Sequence, residues 1–272
     1  MMEDLELKDI YIYPIKSLGG ISVQEAEVQQ TGLQYDRRWM LTDKAGQFLS
    51  QRAYSDMALL QVRLVPAGLM ITHKKNLLSP LTIPFDVTMQ KNITVSIWDD
   101  VCAASEVSSI ADEWFSYALH MPVQLVYMPA TTRRLVDPNY ATNNEIVSFA
   151  DSYPFMMIGQ SSLDDLNCRL TQPVLMNRFR PNLVFKGGAP YCEDAMQTFQ
   201  IGDITFTAVK PCARCILTTI NQEEGTKGTE PLKTLSSYRS INNKVMFGQN
   251  LLAEGVGNIK VGDKLTVHQA IF

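Results

Sequence analysis

The sequence has no long apolar run, and this absence limits where the protein can reside. No stretch approaches the roughly 20 apolar residues that a membrane-spanning helix needs, so we expect no transmembrane segment and no membrane partner. The chain starts with the acidic stretch Met1-Met2-Glu3-Asp4, which is unlike a secretory signal or a transit peptide. Its 46% apolar and 19% charged residues are typical of a soluble globular protein. The sequence therefore predicts a cytoplasmic protein.

Histidine and cysteine are scarce, which argues against a zinc site and against a disulfide framework. The three histidines, His73, His120 and His268, are scattered singly, and none has an evident catalytic partner. The five cysteines are an odd number at irregular spacing, and this pattern suits a reducing compartment. We therefore expect structural histidines and reduced cysteines.

The sequence also lacks the motifs of the common nucleotide-binding sites. Neither a Walker loop nor a paired glycine-rich dinucleotide fingerprint occurs, which disfavours ATP and nicotinamide chemistry on the chain itself. The formal net charge of −4 gives no basis for non-specific nucleic-acid binding, which needs a basic surface to neutralise phosphates. Any anion site must therefore be local.

Short β-branched segments punctuated by turn residues make up most of the chain. They predict strands at Leu7–Tyr13, Ile21–Val28, Trp39–Thr42, Ala58–Val65, Leu69–Thr72, Ile93–Ile97, Val123–Tyr127, Phe155–Ile158, Asn182–Lys186, Thr198–Val209, Cys215–Ile220 and Gly257–His268. Helical spacing of apolar residues predicts helices over Ser108–Ala118 and Ser161–Arg169. We expect a β-rich (α+β) protein with a few peripheral helices and a soft domain boundary that separates residues 1–122 from residues 123–272.

The segment Lys210-Pro211-Cys212-Ala213-Arg214-Cys215 holds two thiols between cations and carries the strongest chemical signal. A nearby Lys or Arg favours the thiolate, which is the form that attacks electrophiles and binds soft metals. A redox dithiol is disfavoured because the chain runs into a predicted strand rather than a helix, and a zinc site lacks two further ligands. The pattern favours one reactive or metal-binding thiolate beside a packed Cys212. Two purely structural cysteines are the main alternative.

Polar residues cluster at five other places: Lys16-Ser17, Asp36-Arg37-Arg38-Trp39, Phe149-Ala150-Asp151-Ser152, Arg178-Phe179-Arg180-Pro181-Asn182 and Phe247-Gly248-Gln249-Asn250. The glycine-flanked Lys16-Ser17 turn can hold a phosphate, and Asp36 can orient the inward-pointing member of its arginine pair. Two arginines at strand spacing before Asn182 suit bidentate binding of phosphate or a pterin-like amide edge. The last cluster is interpreted as a polar tip beside an apolar strand. Each cluster also has an ordinary structural alternative: a solvated lysine, a surface ion pair or a capped turn.

Taken in order, these clusters resemble the MOSC family, the family of the molybdenum-cofactor sulfurase C-terminal domain, preceded here by its N-terminal β-barrel partner. The resemblance rests on Tyr13-Pro14-Ile15-Lys16-Ser17, Asp36-Arg37-Arg38-Trp39, Phe149-Ala150-Asp151, Phe179-Arg180-Pro181-Asn182, Lys210–Thr219, Phe247-Gly248-Gln249-Asn250 and Val261-Gly262-Asp263. It extends over nearly the whole chain. It implies two barrel-like parts and a cofactor site in the cleft between them.

The resemblance also implies a molybdopterin-type cofactor whose molybdenum is held by the Cys215 thiolate, which would also be the catalytic centre. By similarity, the cofactor-binding residues would be Lys16, Ser17, Arg37, Asp151, Ser152, Arg180, Asn182 and Arg214. Arg214 would help to keep the neighbouring sulfur deprotonated. Pyridoxal phosphate is a second cofactor that the family resemblance admits.

The implied activity is the reduction of N–O bonds in small N-hydroxylated substrates. No cysteine follows Cys215, so we expect no iron–sulfur cluster in the tail. Electrons would then come from a separate flavoprotein, with or without a ferredoxin or haem carrier. Two alternatives stand beside this enzyme: a carrier that holds sulfur on Cys215 as a persulfide, and a cofactor-binding module without turnover.

Overall fold

The structure, a computed structural model, describes residues 4–86 and 91–271. The strands in these residues are β1 Glu6–Ile12, β2 Ile21–Val23, β3 Glu25–Gln29, β4 Gly32–Leu33, β5 Trp39–Thr42, β6 Leu60–Val65, β7 Gly68–His73, β8 Leu81–Ile83, β9 Asn92–Ile97, β10 Asp100–Glu106, β11 Gln124–Tyr127, β12 Phe155–Gly159, β13 Leu183–Lys186, β14 Met196–Ile201, β15 Ile204–Arg214, β16 Ser240–Ile241, β17 Lys244–Glu254, β18 Gly257–Lys260 and β19 Leu265–Ala270. The helices in the same residues are α1 Ser109–Leu119, α2 Gln160–Arg169 and α3 Leu232–Ser236. The predicted β-rich fold with few helices is confirmed.

A large mixed sheet forms the frame of the second half of the chain. Its strand order is β19-β14-β15-β17-β12-β13-β1-β2, and β16 pairs with the end of β17. The small sheet β18-β3-β4 packs against it, and large apolar side chains such as Phe155, Phe199 and Phe206 fill the space between them. These three phenylalanines are essentially fully buried. Burying side chains of this size contributes roughly 1.5–3 kcal/mol each to folding.

A second core lies in the first half of the chain. It is enclosed by the sheet β5-β11-β10-β9, the sheet β6-β7-β8 and helix α1. Helix α1 contributes Ala111, Phe115 and Ala118, whose spacing of four and three residues places them on one face. Trp39 at the start of β5 is 1% exposed and anchors this core next to the Lys16 turn.

Strand pairing crosses the predicted domain boundary in both directions. Strand β1, at the N-terminus, pairs with β13 in the large sheet, and β3 pairs with β18. Strand β11, which begins just after residue 122, pairs with β5 and β10 of the first half. The two parts are therefore intertwined, and the division at residues 122 and 123 stays a prediction.

Most predicted elements match, but three predicted strands are each divided into two. The segment predicted at Ile21–Val28 is β2 and β3, which are separated at Gln24 and lie in different sheets. The segment predicted as one strand at Thr198–Val209 is the hairpin of β14 and β15, which turns at Gly202 with a φ of 55°. The segment predicted at Gly257–His268 is β18 and β19, separated by a turn in which Gly262 has a φ of 94°. Glycine has no Cβ and adopts these left-handed angles at little cost. The chain therefore turns at both glycines, although the β-branched residues on either side favour a continuous strand.

Register shifts interrupt the pairing of β15 with β17 at the cysteine motif. One shift falls between Ala208 and Lys210 and another between Pro211 and Ala213. The second corresponds to an extra residue on β17 beside Gly248, whose φ is 83°. Bulges redirect side chains and increase local twist. The predicted polar tip at Phe247–Asn250 was wrong, because these residues lie inside β17 opposite the motif.

The described ranges, 4–86 and 91–271, contain no helix with the length and apolarity needed to cross a bilayer.

Candidate functional site

A cavity of about 300 Å³ lies where the Lys16 turn and the loop before β6 meet the bulged ends of β15 and β17. All nine site residues predicted from the sequence line it: Lys16, Ser17, Arg37, Asp151, Ser152, Arg180, Asn182, Arg214 and Cys215. They come from five separate segments of the chain, which the fold brings together around one cavity. Their individual contacts differ from the predictions in several places.

Cys215 follows the last residue of β15, and its sulfur is in contact with a cation that was not predicted. Arg52 Nε donates a hydrogen bond to Cys215 Sγ at 3.1 Å. The predicted partner Arg214 instead donates to the carbonyl oxygens of Phe247 and Phe179, at 2.8 and 3.0 Å. Successive residues of an extended chain point to opposite sides, so Arg214 cannot readily share the direction of Cys215. Arg214 therefore supplies no hydrogen bond to the sulfur, and its electrostatic support of the thiolate stays a prediction.

The residues after Cys215 form a 3-10 turn, Ile216–Thr219, rather than the predicted strand Cys215–Ile220. Thr218 Oγ1 donates to the Cys215 carbonyl at 3.0 Å, and Thr219 Oγ1 donates to the Ile216 carbonyl at 2.7 Å. Hydroxyl groups that bond to the backbone three residues earlier compete with a strand ladder. The turn therefore ends β15 at the thiol and leaves Cys215 at the cavity wall.

Cys212 has a different environment from Cys215. It packs against an apolar cluster that includes Met156, Phe179 and Phe247, and burial raises the pKa of its thiol. It is a free thiol, as is Cys215. The expectation that Cys212 is a small packed residue agrees with this position, although it also borders the cavity.

Lys16 and Asp151 form an ion pair at one wall of the cavity. Lys16 Nζ donates to Asp151 Oδ1 at 2.6 Å and to the Phe149 carbonyl at 2.7 Å, and its side chain is 4% exposed. Burial lowers the pKa of Lys16 to about 8, against the opposing effect of Asp151. Partial desolvation opposes ionisation of Asp151, whose side chain is 48% exposed, but Lys16 and Arg52 hold the pKa of this carboxyl well below its usual range. Its carboxylate pairs with these cations rather than capping the predicted turn.

The backbone that carries Asp151 is held by a buried arginine that the sequence did not indicate. Arg134, 4% exposed, donates to the carbonyl oxygens of Ser148, Ala150 and Asp151 at 2.5–2.9 Å. Its Nε also donates to Asp100 at 2.8 Å. Charged donors make strong hydrogen bonds to buried carbonyls, so Arg134 fixes the segment from which Asp151 reaches the cavity.

Arg37 and Asn182 form a second polar wall. Arg37 Nη1 donates to Asp36 Oδ2 at 2.6 Å and to Asn182 Oδ1 at 3.1 Å. Asp36, 1% exposed, also accepts a bond from the Tyr13 amide. The predicted role of Asp36 in orienting one arginine is confirmed. Arg38 points elsewhere and donates to the Met128 carbonyl.

Arg180 and Arg178 line the cavity, and each has a buried guanidinium nitrogen with no hydrogen-bond partner among the described residues. Arg180 is 8% exposed, and its Nη1 donates to the Leu18 carbonyl at 2.7 Å. Its Nη2 and Arg178 Nη1 are buried and have no partner within residues 4–86 and 91–271. Burial lowers the pKa of Arg180 to about 10. The predicted strand spacing of the two arginines was wrong, because Arg178 ends a 3-10 turn and Arg180 has a φ of 56°.

Ser17 and Ser152 complete the predicted set at the cavity edge. Ser17 is buried in a left-handed conformation with a φ of 65°, and its carbonyl accepts a 2.7 Å bond from Gln51 Nε2. Ser152 is exposed beside Asp151. The Ser17 turn is thus held from the same loop that carries Arg52.

The lining is strongly cationic although the whole chain is acidic. Within the part of the chain that the structure describes, eight cations and one carboxylate, Asp151, line the cavity; the cations are Lys16, Arg37, Arg52, Arg178, Arg180, Lys210, Arg214 and Lys244. Low-dielectric walls lined by one sign of charge concentrate the opposite charge. Sequence reasoning missed Arg52 and Lys244, since neither stands in a motif and Arg52 lies 163 residues from Cys215. The site is built for an anionic ligand with a soft donor at one side.

Two family models match the chain. The MOSC N-terminal beta barrel domain matches residues 4–122, and the MOSC domain matches residues 144–266. Mitochondrial amidoxime-reducing component 1 of Mus musculus is 32% identical over 274 residues, which cover 93% of this chain and 79% of that protein. The chain belongs to the MOSC family. The predicted family and its N-terminal barrel are therefore confirmed.

Other MOSC relatives differ in length. The human mitochondrial amidoxime-reducing component 1 is 30% identical over 93% of this chain and 80% of that protein. The molybdenum cofactor sulfurase of Arabidopsis thaliana is 32% identical over 91% of this chain. This chain spans only 33% of that plant protein. The matches connect the chain to a role that involves the molybdenum cofactor.

The residues of this MOSC protein fit that cofactor. Arg178 and Arg180 line the cavity, each has a buried guanidinium nitrogen without a hydrogen-bond partner among the described residues, and guanidinium groups bind anionic oxygens such as those of a phosphate. The Cys215 sulfur is a donor suited to a soft, redox-active metal. The described ranges, which leave out only positions 1–3, 87–90 and 272, hold no cluster of three His, Cys, Asp or Glu side chains able to bind a metal alone. A metal that arrives with its own ligands and needs one protein thiolate suits this arrangement.

Proposed function

We propose that this protein is a molybdenum-cofactor-dependent oxidoreductase that reduces N–O bonds of small N-hydroxylated compounds. The observation that carries the proposal is one cavity that combines the Cys215 thiol, held by Arg52, with a lining of arginine and lysine residues. The amidoxime-reducing relatives support the choice of reaction, because they match over most of their length. Cytoplasmic residence stays a prediction.

Within this proposal the cavity residues divide into a sulfur ligand and a set that holds the rest of the cofactor. Cys215 would bind molybdenum through its thiolate. Lys16, Ser17, Arg37, Arg180 and Asn182 would hold the phosphate and the pterin, and Asp151, Ser152 and Arg214 would complete the walls. Once bound, the cofactor would supply two-electron redox chemistry at the metal.

The chain's own residues can also manage protons. Reduction of an N–O bond takes up two electrons and two protons, breaks the bond and releases water. Lys16 carries a proton on Nζ at neutral pH, and its pKa of about 8 places release of this proton near physiological pH. Asp151 holds the ammonium group by a 2.6 Å bond, and Arg52 keeps this carboxylate charged. Lys16 is therefore the proposed proton store of the cavity.

A sulfur carrier is the second candidate, and the identity to the plant molybdenum cofactor sulfurase favours it. In that role the Cys215 thiolate would attack the outer sulfur of a donor persulfide, release the donor as a thiol and pass the sulfur on to a metal centre, so it would be a nucleophile rather than a ligand. The hydrogen bond from Arg52 Nε to Cys215 Sγ is compatible with both a metal-bound thiolate and a persulfide.

Composition of the isolated protein separates the two candidates. Protein made in a host that synthesises the cofactor should contain molybdenum and pterin in equal amounts, close to one per chain. It should also reduce a model amidoxime when a strong chemical reductant is present. Cyanide-labile sulfur without molybdenum would contradict the enzyme and favour the carrier. A ligand-loaded protein without turnover would favour a binding module.

We further propose that electrons come from a separate protein, which accords with the word component in the relatives' name. The cofactor-loaded chain should reduce an amidoxime with dithionite but not with NADH or NADPH alone. A flavoprotein reductase, with or without a small iron–sulfur or haem carrier, should restore turnover, and rising salt should slow the encounter. Direct NADH-driven turnover by the isolated chain would contradict this proposal.

A further inference from the structure

Arg52 makes two directed contacts that join the thiol to the ion pair of the cavity. Its Nε donates to Cys215 Sγ at 3.1 Å, and its Nη2 donates to Asp151 Oδ2 at 2.7 Å. Asp151 uses its other oxygen for Lys16. The Arg52 side chain is only 22% exposed. One guanidinium therefore spans the distance between sulfur and carboxylate.

The plane of this guanidinium is restricted by an aromatic ring. The Trp98 ring centroid lies 4.6 Å from Arg52 Cζ, and Phe48 packs edge-on against Trp98. Trp98 lies in the turn between β9 and β10, where its φ is 54°. An arginine is attracted to the face of a tryptophan within about 6 Å of the ring centre. Trp98 and Asp151 thus contact the Arg52 guanidinium at its face and at Nη2, and both contacts restrict its orientation.

The loop that carries Arg52 is also held on both sides. The adjacent Gln51 is fully buried, and its amide exchanges hydrogen bonds of 3.3 and 2.9 Å with the amide of Gln222. Lys227 Nζ donates to the Arg52 carbonyl at 3.2 Å. Residues 222 and 227 belong to the loop that follows the 3-10 turn after Cys215. The position of Arg52 relative to the thiol is therefore set from both sides of the cavity.

We propose that Arg52 is a positioning residue for Cys215, which it orients toward the metal and whose electron donation it limits through the Nε hydrogen bond. This inference rests on the proposed function, because it assigns to Cys215 the role of metal ligand. A hydrogen bond to a ligating sulfur draws negative charge away from the metal and raises its reduction potential. Partners that orient metal ligands in this way are a general feature of metal sites.

Arginine is suited to this task in a way that lysine is not. A guanidinium offers separate N–H groups in a fixed plane, so it can serve the sulfur and the carboxylate at once. An ammonium is a single point charge that would be drawn to Asp151, where Lys16 already competes. Arg52→Lys keeps the positive charge but should lose the directed bond to sulfur.

The test measures the reduction potential and the electron paramagnetic resonance spectrum of the bound molybdenum in the full, cofactor-loaded protein. The variants are Arg52→Met, Arg52→Lys and Trp98→Leu. Arg169→Met is the matched control, because Arg169 also has an aspartate partner and an aromatic ring, Asp165 and Tyr238, outside the cofactor cavity. Molybdenum content and thermal unfolding are recorded for every variant. Cys215→Ser is prepared in parallel to test the proposed function by itself.

The potential is expected to shift downward in Arg52→Met and Arg52→Lys, and by less in Trp98→Leu, with an altered spectrum in each. Arg169→Met should match the parent. The inference is overturned if Arg52→Lys and Trp98→Leu keep the parent's potential and spectrum while Cys215→Ser loses its molybdenum. This holds whether or not Arg52→Met loads the cofactor. If Cys215→Ser keeps stoichiometric molybdenum, the thiolate is not the ligand and the proposed function fails separately.

Discussion

Replacement of Cys215 by serine is expected to abolish reduction and to remove nearly all bound molybdenum, whereas Cys212→Ser should keep the metal. A serine hydroxyl is neutral and hard at neutral pH, so it cannot replace a thiolate as ligand of a soft metal. Cys212 packs among apolar side chains, and burial disfavours its charged form. A serine there would bury a hydroxyl and cost about 1–3 kcal/mol in the free energy of unfolding.

The two variants control for one another, because each replaces a cysteine sulfur by a serine oxygen and the two positions are only three residues apart. A difference in molybdenum content between them therefore reflects the position of the thiol. Metal analysis of protein purified from a cofactor-producing host gives the molybdenum content, and urea denaturation gives the stability. Of the two variants made in that host, only Cys215→Ser should lack molybdenum, and when both are compared without cofactor, Cys212→Ser should be the less stable. Equal loss of molybdenum from both would point to a site that uses both thiols.

Arg180→Ala is expected to weaken retention of the cofactor by about 30-fold, more than Lys16→Ala does. Arg180 is 8% exposed, lines the cavity and has a buried Nη2 without a hydrogen-bond partner among the described residues. A charged hydrogen bond is worth about 2 kcal/mol, which corresponds to that factor. The Lys16 ammonium already donates hydrogen bonds to Asp151 and to the Phe149 carbonyl. It therefore has fewer N–H groups free to bind a ligand.

The pH dependence of the two effects should differ as well. Because burial lowers the pKa of Lys16 to about 8, the ammonium is present at pH 7 and largely lost at pH 9. The effect of Lys16→Ala on retention should therefore shrink over this range. The pKa of Arg180 is about 10, so the effect of Arg180→Ala should persist at pH 9.

Retention is measured as molybdenum left after gel filtration, with Arg180→Lys and thermal unfolding as controls for charge and folding. A larger loss in Lys16→Ala than in Arg180→Ala would contradict this ranking.

Sequence reasoning succeeded where a local pattern was sufficient. Strand alternation located β5 at Trp39–Thr42, and apolar spacing located α1 and α2 to within one residue at either end. It failed at Ile216–Thr219, because hydroxyl bonds to the preceding turn outweighed the strand preference of β-branched residues. It also failed at Gly202 and Gly262, where positive φ angles end strands that composition alone would extend.

The sequence by itself indicated the family, the β-rich fold class and nine residues that line the cavity. Short motifs identify the family and these residues, and the periodicity of apolar residues predicts the fold class. The tertiary structure alone decided which cation meets which partner. Arg52 reaches Cys215 across 163 residues, while the adjacent Arg214 turns away to the Phe247 and Phe179 carbonyls. It also decided that Arg180 is buried with an unpartnered donor. Hydrogen bonds of side chains depend on distances of about 3 Å between atoms of separate segments, and only the packed chain sets those distances.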